Sequence, residues 1–131
     1  EGGVISLNHD HPAATGNLSI MNGSLTIQGT AEYDVKVYAK VNAQNIGVAD
    51  VIVADGITIA GDAKLKAITI NLGNNGKVPP RSAWRILLAR ANTNISGSFP
   101  NCDIPLNDGT GNQYAVRGDG NPPTAVFLDS P

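Results

Sequence analysis

Two histidines near the start of the chain form the only sequence cluster of metal-ligating type. His9 and His11 flank Asp10, and residues two apart on a strand point to the same side, which suits Zn²⁺ or Ni²⁺. A structural zinc site takes four ligands, and the sequence offers no further Cys/His pair. The histidines are therefore a candidate metal site, with a solvated loop as the alternative.

A second candidate ion site is the oxygen-rich and glycine-rich loop over residues 107–112. Asp108 and Asn112 offer side-chain oxygens of the kind that calcium binds. The loop lacks the spaced carboxylates and the terminal glutamate of an EF-hand. Because Asp, Asn and Gly are also turn formers, a plain Asx-turn loop is the alternative. We predict no bound cofactor.

The residues that could serve in catalysis do not form a recognisable constellation, so we predict a protein that is not an enzyme. A catalytic thiolate needs a nearby histidine and a low pKa, and the sequence gives Cys102 no local support for either. We expect Cys102 to act as a small hydrophobe, with interchain pairing as the alternative. The carboxylates near predicted turns lie apart from the arginines; these residues are Asp50, Asp55, Asp62, Arg81, Arg85 and Arg90.

Several motifs have a recognition interpretation beside a structural one. The tripeptide Arg117–Asp119 spells an integrin-type motif, but turn geometry explains its position. Asn17, Asn22 and Asn94 begin glycosylation sequons, which matter only in a source with the machinery. A carbohydrate-binding module is the alternative function, since aromatic rings can stack on sugars. The rings in question are Trp84, Tyr33, Tyr38 and Tyr114.

Composition excludes some partners and favours a compartment. With 9 basic and 11 acidic residues and no basic run, the chain has no footprint for nucleic acid. No stretch approaches the ~18 apolar residues of a membrane-spanning helix. Only 15% of the residues are charged, against about 25% in typical domains. A weakly charged, hydroxyl-rich surface favours an extracellular or cell-surface protein. Both a mature protein and a segment of a longer chain stay open.

The elements that must position these residues read as short β-strands from Gly23 onward. Aliphatic residues alternate with threonine or another polar residue, and Gly, Asn and Asp punctuate the runs, which is the strand signature. The stretch Ser82–Ala91 fits both a helix and a strand pattern. Residues 113–117 and 124–128 read as a terminal hairpin. The sequence therefore predicts an all-β fold.

The order of these segments resembles the C-terminal rungs of extracellular β-helices in autotransporter passenger domains and related bacterial surface proteins. Gly23 to Ile27 is similar to a rung opening, and Ala31 to Val37 to the strand that follows it. Ala49 to Val53 resembles the strand placed after a variable loop. Gly56 to Leu65 is similar to the next rung.

The resemblance continues to Leu128 and implies a strand in the ambiguous stretch. Trp84 to Ala91 takes the place of a Phe-x-Ile/Leu-Leu strand, and Ile95 to Phe99 matches the corner that comes next. Tyr114 to Val116 and Ala125 to Leu128 resemble the closing hairpin. The family's architecture implies a short parallel β-helix with a C-terminal hairpin; a β-sandwich is the alternative.

We predict an N-terminal segment, residues 1–22, that donates or caps a strand, and a β-helix-like domain over residues 23–131. The predicted core is an aliphatic column of alternating residues. Its members are Leu25, Ile27, Val35, Val37, Val51, Val53, Ile57, Ile59, Ile68, Ile70, Ile86 and Leu88.

The N-terminal segment also carries the predicted assembly residues. Two short aliphatic groups lie in it, and low charge gives little repulsion between copies; the residues are Val4, Ile5, Leu7, Leu18 and Ile20. Because an open stack of rungs exposes unpaired strand edges, we expect copies of the chain to stack head to tail into a surface filament. The predicted function is a structural or adhesive protein, with surface glycans as a further candidate partner. The alternatives are a carbohydrate-binding module and a fragment of a larger passenger or polysaccharide-processing β-helix.

Overall fold

The computed structural model describes residues 3–7, 14–70, 77–99, 106–107 and 111–131. Within these ranges the chain is built of strands and contains no helix, so the all-β prediction is confirmed. The strands are β1 Val4–Ser6, β2 Asn17–Ser19, β3 Leu25–Ile27, β4 Glu32–Val41, β5 Ile46–Ala49, β6 Val51–Ala54, β7 Ile57–Ile59, β8 Lys64–Ile70, β9 Ala83–Ala89, β10 Ile95–Ser96, β11 Leu106–Asn107, β12 Gln113–Gly118 and β13 Ala125–Asp129.

Three parallel ladders organise the first ten strands. The first joins β1, β4 and β8, the second β2, β6 and β9, and the third β3, β7 and β10. Each ladder takes its strands in chain order. We call β1, β2 and β3 the first row, β4, β6 and β7 the second row, and β8, β9 and β10 the third row. Two strands of the first row, β1 and β2, lie within residues 1–22, and each pairs with a strand of its own chain.

Antiparallel strands interrupt this pattern, so the sheets are mixed and curled. Strand β4 extends beyond the stretch that pairs with β8 and folds back as β5, with Val41 opposite Gly47. The side chain of Asn42 supports that turn by accepting the amides of Gln44 and Ile46. The prediction of a parallel β-helix solenoid is wrong in this respect, because a short turn returns the chain beside itself before the next ladder begins.

A C-terminal hairpin provides the second antiparallel element. Strand β13 pairs with β9 on one side and with β12 on the other, and β11 pairs with β12. Asp119 holds the connection by accepting the amides of Thr124 and Ala125. The predicted hairpin is present, and the ambiguous stretch at Ser82–Ala91 is the strand β9. The hairpin closes the outer edge of β9.

The buried core differs in phase from part of the predicted column. Asp50, directly before β6, is buried, as are Ile52 and Ala54 within the strand, whereas Val51 and Val53 are half-buried. Because side chains point alternately to the two faces of a strand, only one of these two sets can lie in the core. Three further residues of the predicted column are only half-buried: Leu25, Ile68 and Leu88. The other seven are buried, namely Ile27, Val35, Val37, Ile57, Ile59, Ile70 and Ile86.

Aromatic residues fill the centre of the core. Trp84 is fully buried, and its ring meets that of Tyr114 edge to face at a centroid distance of 5.6 Å. The indole nitrogen of Trp84 donates to the carbonyl of Tyr38 at 2.9 Å. Gly47 makes room for the indole, because a Cβ built there would lie 1.9 Å from Nε1 of Trp84. The largest fully buried side chains of the described residues, Trp84, Tyr33, Tyr114 and Phe99, are thus packing residues.

Candidate functional site: the open edge of the first row

The first row forms one edge of the structure. Within the described chain, β1 pairs only with β4, β2 only with β6 and β3 only with β7. The outer side of each strand therefore presents backbone N–H and C=O groups that no described strand takes. Such an edge is a template for another strand.

The inward side chains of this row show that the core continues up to the edge. Leu18 lies in one ladder column with Ile52 and Leu87; it is 41% exposed, whereas Ile52 and Leu87 are 0% exposed. Ile5 and Leu25 likewise pack against the core but are only partly buried. Their partners in the second row, Tyr33 and Ile57, are buried. The described chain thus leaves one end of its apolar column uncovered.

The edge strands are short, three residues each, but they carry none of the side chains that oppose pairing. Natural proteins protect edge strands with lysine, proline or inward-pointing charges. No residue of β1, β2 or β3 is charged or proline, and Val4 and Met21 are exposed at the same end. On the opposite end, β8 carries Lys64 and Lys66. The first row is therefore uncharged, whereas the opposite end of the molecule carries positive charge on β8.

A buried ion pair fixes the first row to the second. Asp50 is 0% exposed, and its carboxylate lies 3.1 Å from the Nζ of Lys36. The same carboxylate accepts the backbone amides of Gly16 at 2.7 Å and Lys36 at 2.8 Å. Lys36 also donates to the carbonyl of Leu7, at the end of β1. One carboxylate therefore holds both the residue before β2 and, through Lys36, the end of β1.

A tyrosine closes this network from the core side. The hydroxyl of Tyr33 donates to the carbonyl of Ile86 at 3.1 Å and lies 3.3 Å from that of Asp50. Burial, and then the nearby Asp50 charge, raises the pKa of the Tyr33 phenol far above its ordinary value. The hydroxyl therefore stays protonated and remains a hydrogen-bond donor.

Arg90 forms a second attachment at the other end of β2. Its guanidinium donates to the carbonyl of Ile20 and to the hydroxyl of Ser19. It also lies 2.9 Å from the carboxylate of Asp55, and both side chains of this ion pair are partly exposed. The strand β2 is therefore held at both ends, so its exposed edge is presented in a fixed geometry.

The predicted metal candidates do not form a site in the described structure. Among the described residues, no three His, Cys, Asp or Glu side chains meet in a way that could hold a metal ion. His9, His11, Asp108 and also Cys102 lie outside the described residues. Asn112 is buried, and its side-chain oxygen accepts the amide of Val78 at 3.1 Å. Its described contacts are structural.

The recognition motifs are largely used by the fold. Trp84, Tyr33 and Tyr114 are buried, so they cannot stack on a sugar. Arg117 pairs with Asp129 at 2.6 Å and lies over the ring of Phe127. The hydrogen bond to Asp129 is the main cause that raises the pKa of Arg117, whereas the amide of Thr124 is the main cause that lowers the pKa of Asp119. The sequon residues Asn17, Asn22 and Asn94 are exposed.

A cleft of about 580 Å³ lies along the charged face of β4 and β8, and Glu32 and Lys66 are among its lining residues. Beside it, Asp34 has one oxygen that is buried without a hydrogen-bond partner. Burial, and then the hydrogen bond and charge of Glu32, raises the pKa of Asp34 to about 6, while Lys66 and Lys36 act in the opposite direction.

Asp34 gives the fold a pH dependence of defined sign. Its folded pKa of about 6 lies above the ordinary 3.8, so the folded chain binds more protons between these values and stability falls as pH rises through that window. Asp34→Asn should therefore raise the free energy of unfolding by about 1 kcal/mol at pH 7.5 and leave it nearly unchanged at pH 4, since partial exposure weakens the effect. Urea denaturation at both pH values measures this. Glu32→Gln, the control, should shift the wild-type window downward, and equal effects of Asp34→Asn at both pH values would contradict the assignment.

Sequence reasoning missed the two attachments of β2. Of the predicted assembly residues, Val4 and Leu18 are exposed, whereas Ile5, Leu7 and Ile20 are partly buried against the core. The signal for Lys36 and Asp50 is a charged residue inside an aliphatic run, at Val35–Val37 and Ala49–Ile52. The partners themselves lie far apart in sequence, as the pair of Arg90 and Ile20 shows. No local pattern reports such a pairing.

Comparison with protein-family models, curated proteins and solved structures gives no match to this chain. The resemblance to autotransporter rungs therefore stays a prediction. Across the described residues, no helix has the length and apolar character needed to cross a bilayer.

Proposed function

We propose that this chain is a non-enzymatic structural module of an extracellular surface, which associates by adding a β-strand to the open edge of its first row. The observation that supports this most directly is the exposure of Leu18 in a column whose other two members, Ile52 and Leu87, are completely buried. Because this inward-facing column ends in an exposed leucine, a further strand beside β2 is needed to bury that side chain.

Strand addition would both pair the free backbone groups of this edge and cover its exposed apolar side chains. The added strand supplies partners for the outward backbone groups of β1, β2 or β3, which is the source of affinity in β-augmentation. It also covers the half-exposed apolar side chains of Ile5, Leu18 and Leu25. Because Asp50 and Arg90 hold β2 in place, little ordering entropy is lost on association.

The extracellular part of the proposal rests on composition. A surface with few charges and many hydroxyl and amide groups suits a structural or adhesive layer. The head-to-tail filament is one geometry that strand addition could take, and a closed complex is another. Both geometries add a strand to the first row, so a substitution in this row tests strand addition in either case.

Leu18→Lys should weaken self-association at least tenfold, because it places a charge on an edge that has none. The matched control is Val48→Lys, which makes the same change at an exposed apolar residue, 59% exposed, away from the first row. Sedimentation velocity over a concentration series measures the association, and circular dichroism verifies that both variants fold. Equal association of the two variants would contradict the proposal, as would a wild-type chain that remains monomeric throughout.

A further inference from the structure

We infer that the strand added to the first row comes from a second copy of this chain, related by a two-fold axis, so that two first rows face each other in a closed dimer. This inference rests on the proposed function and specifies its partner. It follows from the difference between the two ends of the molecule.

The third row cannot offer a matching set of free edges. In a head-to-tail stack, β2 of one copy would meet the outer edge of β9 in the next. That edge is occupied by β13, whose residues Ala125 to Asp129 lie opposite Leu88 to Ala83. The strand of the first row with all three residues exposed would therefore meet a strand that is already paired.

Charge separates the two ends as well. The first row contains no charged residue. The third row carries Lys64 and Lys66 on β8, and the hairpin beyond it carries the pair of Arg117 and Asp129. Lysine on an edge strand opposes pairing with a further strand. An uncharged row is better matched by another uncharged row than by this end.

The first row is also self-complementary in geometry. Its strands have equal length, three residues each. A two-fold axis reverses strand direction, so identical rows meet in antiparallel pairs, and a contact of this kind is isologous and closed. An axis through the middle residue of β2 places Leu18 opposite Leu18 of the second copy and β1 opposite β3. The exposed apolar side chains of each first row then pack against those of the other copy.

A cysteine at position 18 tests this arrangement. In an antiparallel pair, residues directly opposite each other have Cα atoms about 4.5–5.5 Å apart, which a disulfide can span. In a head-to-tail stack, position 18 of one copy lies three rows, or about 14 Å, from position 18 of the next copy. A disulfide cannot span that distance. The experiment uses Leu18→Cys in a Cys102→Ser background, with Val48→Cys in the same background as control, and copper-phenanthroline as oxidant.

The expected result is a covalent dimer from the position-18 variant and none from the control, together with a wild-type sedimentation profile that ends at the mass of two chains. Species that keep growing with concentration, without a position-18 disulfide, would overturn the two-fold arrangement and leave strand addition standing. A wild-type chain that stays monomeric at high concentration would overturn both. The wild-type profile decides between these outcomes even where a cysteine variant folds poorly.

Discussion

Replacement of Asp50 by alanine is expected to lower the free energy of unfolding by about 3–5 kcal/mol, because it leaves the Lys36 ammonium buried without a countercharge. The Asp50 carboxylate is fully buried and has three partners: the Nζ and the amide of Lys36, and the amide of Gly16. For a domain whose total stability is about 5–15 kcal/mol, this is a large fraction. Urea denaturation followed by tryptophan fluorescence measures the change, since Trp84 is buried.

Two variants show whether burial is the cause. Asp55→Ala breaks the partly exposed pair with Arg90, and Arg90 keeps the carbonyl of Ile20 and the hydroxyl of Ser19; the expected loss is below about 1 kcal/mol. Asp50→Asn keeps one acceptor oxygen and removes the charge, so its loss should lie between the two. An Asp50→Ala loss no greater than that of Asp55→Ala would show that this network does not hold the first row.

Gly97→Ala should give the second-largest loss, about 2–5 kcal/mol. Gly97 follows β10 and has a φ of 78°, where an L-residue is strained by about 1–2 kcal/mol. A Cβ there would also lie 1.9 Å from the backbone oxygen of Ile59. That oxygen belongs to β7, the ladder partner of β10, so relief requires the third row to move from the second, at a further cost of about 1–3 kcal/mol.

Gly56→Ala separates strain from close approach. Gly56 has a φ of 92°, but the nearest atom to a Cβ there is 4.0 Å away. Its expected loss is therefore the strain alone, about 1–2 kcal/mol. Thermal or urea denaturation of both variants gives the difference. Equal losses would mean that β7 and β10 do not pack as closely as the ladder requires.

The sequence predicts the strands better than it predicts their partners. Alternating aliphatic residues and Gly, Asn and Asp turns are local signals, so the all-β class and the terminal hairpin follow from them. Three consecutive aliphatic residues at Val51–Val53 do not show which of them lies in the core, and the structure buries Ile52 together with Asp50 and Ala54. The fold-back strand β5 is short and holds a glycine, which weakens its pattern.

The candidate edge was accessible to sequence reasoning only in part. Aliphatic residues in a weakly charged segment suggest association, and the structure places Val4 and Leu18 on exposed strands of the first row. The direction of assembly depends on what covers the other end. The other end is covered by the pairing of β13 with β9, which joins residues about forty positions apart. A local sequence pattern does not indicate such a pairing.

Hydrogen exchange of the wild-type chain at low and high concentration tests the open edge most directly. Protection of the amides of Asn17 and Ser19 should increase with concentration, because an added strand takes these outward groups, whereas the amide of Ile20 already donates to the carbonyl of Val53. Amides in Ile57–Ile59 serve as the internal reference, because β7 is already paired on both sides and its protection should not change. Concentration-independent exchange of Asn17 and Ser19, over a range in which the chain associates, would place the contact elsewhere and contradict strand addition at the first row.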